Sequence, residues 1–187
     1  VSTKLITPAV TLPVELALVK QHLRLEVEDL SEDVLLTQFI RAAEGICEQY
    51  QGRVYSKKTY RNFSDHIPSF VKLPFPPLAA VMDVKLKLQD GTELTIPSAD
   101  YYVDTASFCG RMIMKDPWKY AGFEIEPSGF QITFESGYEK IPESYAQALL
   151  LVIGQFYENR ENLSPVNLFE IPFGVKALLA ADRVVNV

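Results

Sequence analysis

"ALLLVIGQFYENRE", residues 148–161, sets six apolar side chains in a row and then crowds aromatic, amide and charged groups into its closing turns. How this segment is covered decides the fold. Pro142 lies at the first turn of a predicted helix, where its missing N–H costs nothing. From there Tyr145, Leu149, Val152 and Phe156 form one stripe, while Leu150, Leu151, Gly154 and Tyr157 fill much of the remaining circumference. A helix apolar nearly all round must be covered on more than one side. Two arrangements achieve this: the helix runs between other helices and a sheet, or part of it faces another subunit. Gly154 costs such a helix about 1 kcal/mol relative to Ala, so the reading assigns it to close approach of a neighbouring backbone.

Working outward, the first sixty residues read as helical. Leu16, Val19 and Leu23 mark an amphipathic face that starts at Thr11 or nearer Glu15 and ends near Leu25. Ser31 is the expected N-cap of a second helix, whose first turn carries Glu32 and Asp33 on the favourable end of the dipole. Val34 or Leu35, Phe39, Ala42 or Ala43, Ile46 and Tyr50 repeat at helical period until Gly52. After the long helix, "ENLSPVNLFEI" is a connector and "PFGVKALLAADRVV" a short closing helix.

Between them, from about Thr59, short β-branched or aromatic segments are separated by Pro, Gly and Asp: "TYRNFS", "FVKL", "AVMDVKLKL", "TELTI", "YYVD", "RMIM", "FQITF". Asp90-Gly91 predicts a hairpin with a two-residue type I′ turn. Val84, Leu86 and Leu88 alternate with Lys85, Lys87 and Gln89, as in a strand with one wet face. "LPFPPL", residues 73–78, is no central strand, because prolines donate nothing to a ladder. The expected class is therefore α+β: mainly a helical bundle, residues 1–58 and 137–187, with a small antiparallel β-rich insertion at 59–136, all in one composite domain.

The totals constrain function. With 48% hydrophobic and 22% charged residues the composition is globular, and no apolar run approaches the roughly 20 residues of a membrane span. "VSTKLITPAVTLP" lacks the pattern of a secretory signal, so export is not expected. Cys47 and Cys109 form no metal or redox spacing, suit a reducing compartment and read as small buried hydrophobes. A net charge of -6 without a basic stripe argues against gripping nucleic acid.

The sequence offers no phosphate loop, dinucleotide fingerprint, nucleophile elbow or zinc-protease helix. His22 and His66 have no partners at ligand spacing. Asp100 with Asp104, and Glu124 with Glu126, read as solvated strand-edge charges rather than acid/base pairs. Trp118, Tyr101, Tyr102 and Asp104 would line a pocket if the β-rich part were a small-molecule enzyme; the three aromatic ones read first as core. The acids Glu26, Glu28, Asp29, Glu32 and Asp33 read as a solvated loop and helix start, or, in a ring, as charges that repel a passing phosphate backbone. Glu158 to Glu161 read either as an exposed helix end, with Arg160 favoured by the dipole, or as a polar patch joining subunits.

Several pieces in order carry a resemblance: "PVELALVKQHLRL" (13–25), "DVLLTQFIRAAEGICEQYQGR" (33–53), "LPFPPLAAVMDVKLKLQDG" (73–91), "YYVD" (101–104), "SGYEKIPESYAQALLLVIGQFYENRE" (136–161) and "FGVKALLAADRV". The chain resembles the head-tail connector, or adaptor, family of tailed bacteriophages and prophages, in its longer form with a β-rich insertion. One departure is Glu15, where that family usually has a Ser or Thr cap. The resemblance implies no catalysis and no cofactor. It implies a ring of identical subunits, twelvefold on the portal protein, at the head-tail junction of a virion after assembly in the bacterial cytoplasm. Such a ring extends the DNA channel without sequence-specific binding, touches no membrane, and receives the next neck or stopper protein. Closed rings use head-to-tail contacts, so each subunit needs two apolar patches. The expected contact residues are Tyr157 and Arg160 at the end of the long helix, and Leu168, Phe169, Phe173, Val184 and Val185 in a C-terminal segment that engages the portal and stays mobile until covered. Another neck or tail-completion protein is the alternative.

Overall fold

The computed structural model describes residues 2–159 and 173–184. Among these, helix and strand occur in near-equal measure, in four helices and two sheets, which overturns the expectation of a mainly helical bundle while keeping an α+β class. Two compact units divide the chain: residues up to 10 with 56–139, and residues 11–55 with 140–187.

The first unit carries all the strands. A five-stranded antiparallel sheet has the order β1-β2-β8-β4-β5, from β1 (Ser2–Thr7), β2 (Lys58–Ser64), β4 (Leu78–Leu88), β5 (Glu93–Thr95) and β8 (Ile125–Ser136). A three-stranded sheet has the order β3-β7-β6, from β3 (Phe70–Lys72), β6 (Tyr101–Asp104) and β7 (Arg111–Met114). Two features explain why strands weigh more than expected. "STKLIT", read as part of a helical start, pairs antiparallel with β2, its Lys4 opposite Arg61. The central strand β8 runs beyond "FQITF", past Pro127 and Gly129, back to Ile125, and β4 starts as early as Leu78.

One face of the large sheet is core. Tyr60 opposes Phe134, Val84 opposes Ile132 and Leu86 opposes Phe130, all buried. The other face is wet, with Lys87 paired to Glu126 at 3.4 Å, so the alternation in β4 is as the sequence implies. The β4–β5 hairpin is not closed by a two-residue turn. Only Gly91 takes a positive φ (83°), and the Gly91 N–H donates to Leu88 O, giving a three-residue loop with the glycine in the left-handed position. "LPFPPL" leads from β3 into β4, which takes its last residue, Leu78, and Phe75 there stacks on Tyr60 with centroids 4.6 Å apart.

The second unit is helical: α1 (Leu16–His22), α2 (Asp33–Gln51), α3 (Glu143–Glu158) and α4 (Phe173–Ala180). The α2 helix ends at Gly52, φ 72°, as its sequence demands. Its buried face, however, is Leu36, Ile40, Ala43, Cys47 and Gln51, one residue on from the stripe read in the sequence. The polar side chains explain the slip. Glu44 is buried against Arg41 (3.2 Å), and Gln51 is buried between the Tyr55 hydroxyl (2.9 Å) and Leu179 O (3.4 Å), so polar groups occupy the true inner face. The greasy α3 is covered by α1, α2 and α4 together. Its Tyr145, Ala148, Leu149, Leu150, Val152 and Ile153 are buried, and Leu151 is 38% exposed. No backbone approaches Gly154; a Cβ there would meet the His22 ring at an ordinary 3.5 Å.

Candidate subunit interface

The acidic loop 26–33 is built around one buried lysine. Helix α1 stops in a Schellman arrangement: the Leu25 N–H donates to Lys20 O, the Arg24 N–H donates to Gln21 O, and Arg24 takes φ 59°. A non-glycine residue there is strained by about 1 kcal/mol, and the turn throws the chain back over Lys20, which is 3% exposed. The Lys20 ammonium donates to Val27 O (2.9 Å) and Asp29 O (2.6 Å) and pairs with the Asp33 carboxylate at 2.6 Å. Two of its donors are thereby used on loop carbonyls, and its charge is balanced by the carboxylate that opens α2.

This arrangement divides the five acids expected to face a channel. Asp33 neutralises Lys20. Glu32 accepts the Tyr157 hydroxyl at 2.7 Å. The Asp29 carboxylate accepts the Ser31 N–H at 2.9 Å, which holds its pKa below the ordinary value. Ser31 is thus not the cap of α2: Glu32 holds that position and makes no side-chain capping bond, just as Glu15 makes none before α1. Glu26 and Glu28 stay exposed without an ionic partner among the described residues. Beside them the clamped loop leaves Val27 43%, Leu30 72% and Val34 74% exposed. The helical period alone does not reveal this apolar edge, because it leaves Val34 and Leu35 as alternatives for the inner stripe of α2.

The other expected contact residues fare differently. Tyr157 is half-buried and bound to Glu32, while Phe156 beside it meets Phe39 at 5.9 Å, so the end of α3 is fastened inside its own unit. Phe173 opens α4 with 87% of its surface exposed. Val184 is tied down: its N–H donates to Gln51 O at 2.7 Å and its side chain lies against Gly52. Asp182 O accepts Arg53 Nε (2.8 Å), its carboxylate accepts the Tyr145 hydroxyl (2.9 Å), and the Arg183 guanidinium donates to Tyr50 O over the Tyr50 ring. Of the C-terminal segment expected to engage a partner, residues 182–184 bond to Tyr50, Gln51, Arg53 and Tyr145. Arg160, Leu168, Phe169 and Val185 lie outside the described residues.

The residues imagined as an enzyme pocket do not converge. Asp104 accepts Ser107 Oγ (2.6 Å), Arg111 Nε (2.7 Å) and the N–H groups of Ala106 and Ser107, which together hold its pKa at about 2. Asp100 is held low first by Lys119 (2.6 Å) and then by the Tyr120 hydroxyl. Both are knots that tie loops rather than solvated charges or a proton-transfer pair. Tyr101 is buried, and Tyr102 is 61% exposed beneath Lys115. Trp118 is 83% exposed, not core, and lines an open cleft of about 620 Å³ that neither tyrosine nor Asp104 reaches. His66 stands at that cleft and His22 beside Gly154. Cys47 is buried, and burial pushes its thiol up to about 12.

No protein-family model matches the chain, and no curated protein matches it significantly. Solved structures do match over its whole length. A chain in the virion of a native gene transfer agent (GTA) particle superposes with a TM-score of 0.76 at 24% identity, covering 100% of this chain and 97% of that one. A chain from the neck of an empty GTA particle, computed with C6 symmetry, gives 0.75 at 23% identity with the same coverage. One from the neck of a native GTA particle, computed with C12 symmetry, gives 0.73 at 23%, again with the same coverage. The chain shares the fold of these neck and virion proteins.

Proposed function

We propose that this protein is a structural head-tail connector of a tailed phage, prophage or phage-like particle, a non-enzymatic ring subunit at the neck. The observation that carries this reading is the likeness of the chain, end to end, to chains of GTA neck and virion structures, one neck computed with twelvefold symmetry. In such a ring the subunit sits under the portal, continues the DNA channel and receives the next neck protein. A head-to-tail contact joins two different surfaces of one subunit. The clamped edge of Leu30 and Val34 supplies one apolar surface, with a second copy as its occupant, and Phe173 belongs to another. Glu26 and Glu28, at the rim of that edge, would keep a passing phosphate backbone from adhering.

Electron microscopy of the protein mixed with its portal tests the reading. The expected image is a ring of about twelve copies on the portal, the order of the C12 reconstruction. The double variant Leu30→Ser, Val34→Ser should fold and fail to close the ring. Particles that lack the protein yet keep their DNA and accept a tail would overturn the assignment.

A further inference from the structure

The cleft in the strand-bearing unit has a chemistry that the connector role does not use. Its walls include the exposed rings of Trp118 (83%) and Phe123 (42%), the buried Tyr120, Ile125, His66 and the exposed Asp65. The local sequence builds it: Asp116 accepts the Trp118 N–H at 3.0 Å and starts the turn Pro117–Tyr120, which holds the indole away from the core. Tyr120 is fixed from below by its hydroxyl on Asp100, and its ring already faces the Lys119 ammonium at 5.5 Å. The Trp118 ring touches no other ring or cation among the described residues.

Charge selects the occupant. No Lys or Arg lines the cleft, and Asp65 has no ionic partner among the described residues. One Asp65 oxygen accepts the Ser128 N–H at 2.7 Å, which orients the carboxylate and leaves its second oxygen for a ligand. A flat aromatic face and an oriented carboxylate lining the same cleft suit a planar cation: guanidinium is weakly hydrated, stacks on indole and donates to carboxylate. A lysine ammonium stacks less well, and a sugar would need more donors and acceptors than the few polar groups here provide. We propose that this cleft receives an arginine side chain from a different protein of the assembly in which this chain works. The site is independent of whether the helical unit closes a ring.

Trp118 is the only tryptophan of the chain, so its fluorescence reports on the cleft directly. The full chain is titrated with N-acetyl-arginine amide, with the lysine analogue, with methyl glucoside and with free arginine, and is also diluted alone. Expected is a saturable change with the capped arginine, Kd on the order of 1 mM for so small a ligand, at least several-fold tighter than with lysine. Asp65→Asn should weaken it about threefold, as for a partly exposed charge pair. Trp118→Leu, a surface change that spares folding, should abolish binding followed by NMR. No saturable change, preference for the glucoside, tighter binding of free arginine, or an Asp65→Asn variant that binds equally would each overturn the proposal. A signal that changes on dilution without ligand would give the cleft to a second copy and overturn it too.

Discussion

Replacing Lys20 by Met keeps the length and most of the volume of the side chain but removes its charge and all three donors. In the native chain two of these donors hold Val27 O and Asp29 O, and the charge lies 2.6 Å from the Asp33 carboxylate, with Lys20 only 3% exposed. Breaking a buried ion pair costs about 3–5 kcal/mol, and one charge-assisted hydrogen bond about 1.5–3 kcal/mol. Two circumstances pull the value down: the loop can swing out so that its carbonyls meet water, and Asp33 remains favoured at the start of α2. The expected loss is therefore about 3 kcal/mol, at the lower edge of the range. Urea unfolding followed by the helical circular dichroism reads it out; with a slope of about 1–3 kcal/mol per molar, the midpoint falls by about 1–3 M. Adding Asp33→Asn should return about 1 kcal/mol, since no carboxylate is then left without its cation. Amides of residues 26–32 should lose hydrogen-exchange protection in the single variant. Stability within about 0.5 kcal/mol of the parent, the range of an ordinary surface change, would refute the keystone role of Lys20.

Tyr157→Phe should cost about 1 kcal/mol through the lost bond to Glu32 while leaving ring assembly intact, as measured by unfolding and by particle formation. Asp104 should stay ionised far into acid. Its folded pKa is about 2 against an ordinary 3.8, so its contribution is present above pH 3.8 and is lost as pH falls through about 2, which carboxyl NMR titration will follow. Cys47 should resist thiol reagents at neutral pH until the chain unfolds, because burial holds its thiol at about 12.

The helices were legible where apolar spacing and a stop agreed: α2 ends at its glycine and α3 begins just after its proline. The inner face of α2 was not, because its buried positions include Glu44 and Gln51, which only a folded partner set can satisfy. The strands of the middle segment were visible as short alternating pieces. Their true lengths were not, since pairing to neighbours carries β8 past a proline and recruits "STKLIT" from a distant part of the chain. At the candidate interface the acids were conspicuous and the lysine beneath them was not, because nothing local separates a snorkelling surface lysine from one that a tight turn has buried. Of the C-terminal residues, the apolar character of Val184 did not reveal that its N–H would bond Gln51 O, nor that the Arg53 side chain would hold Asp182 O beside it.

The construction of the acidic loop bears on what the loop does. Repelling a nucleic-acid backbone is a long-range effect, felt over about 8–10 Å at physiological salt, and tolerates a loose loop. Fixing this loop consumes a buried charge and a strained Arg24, which a loose electrostatic lining would not need. Shape-specific contact does need it, because a binding surface ordered in advance loses less conformational freedom on association. The carbonyls that Lys20 holds are those of Val27 and Asp29, next to the exposed Leu30, and exposed apolar side chains on a held edge gain most when another surface covers them. Under the connector reading proposed above, the loop suits a joint between copies that also carries charge at its rim, and the Leu30→Ser, Val34→Ser variant tests that role against a purely charged lining.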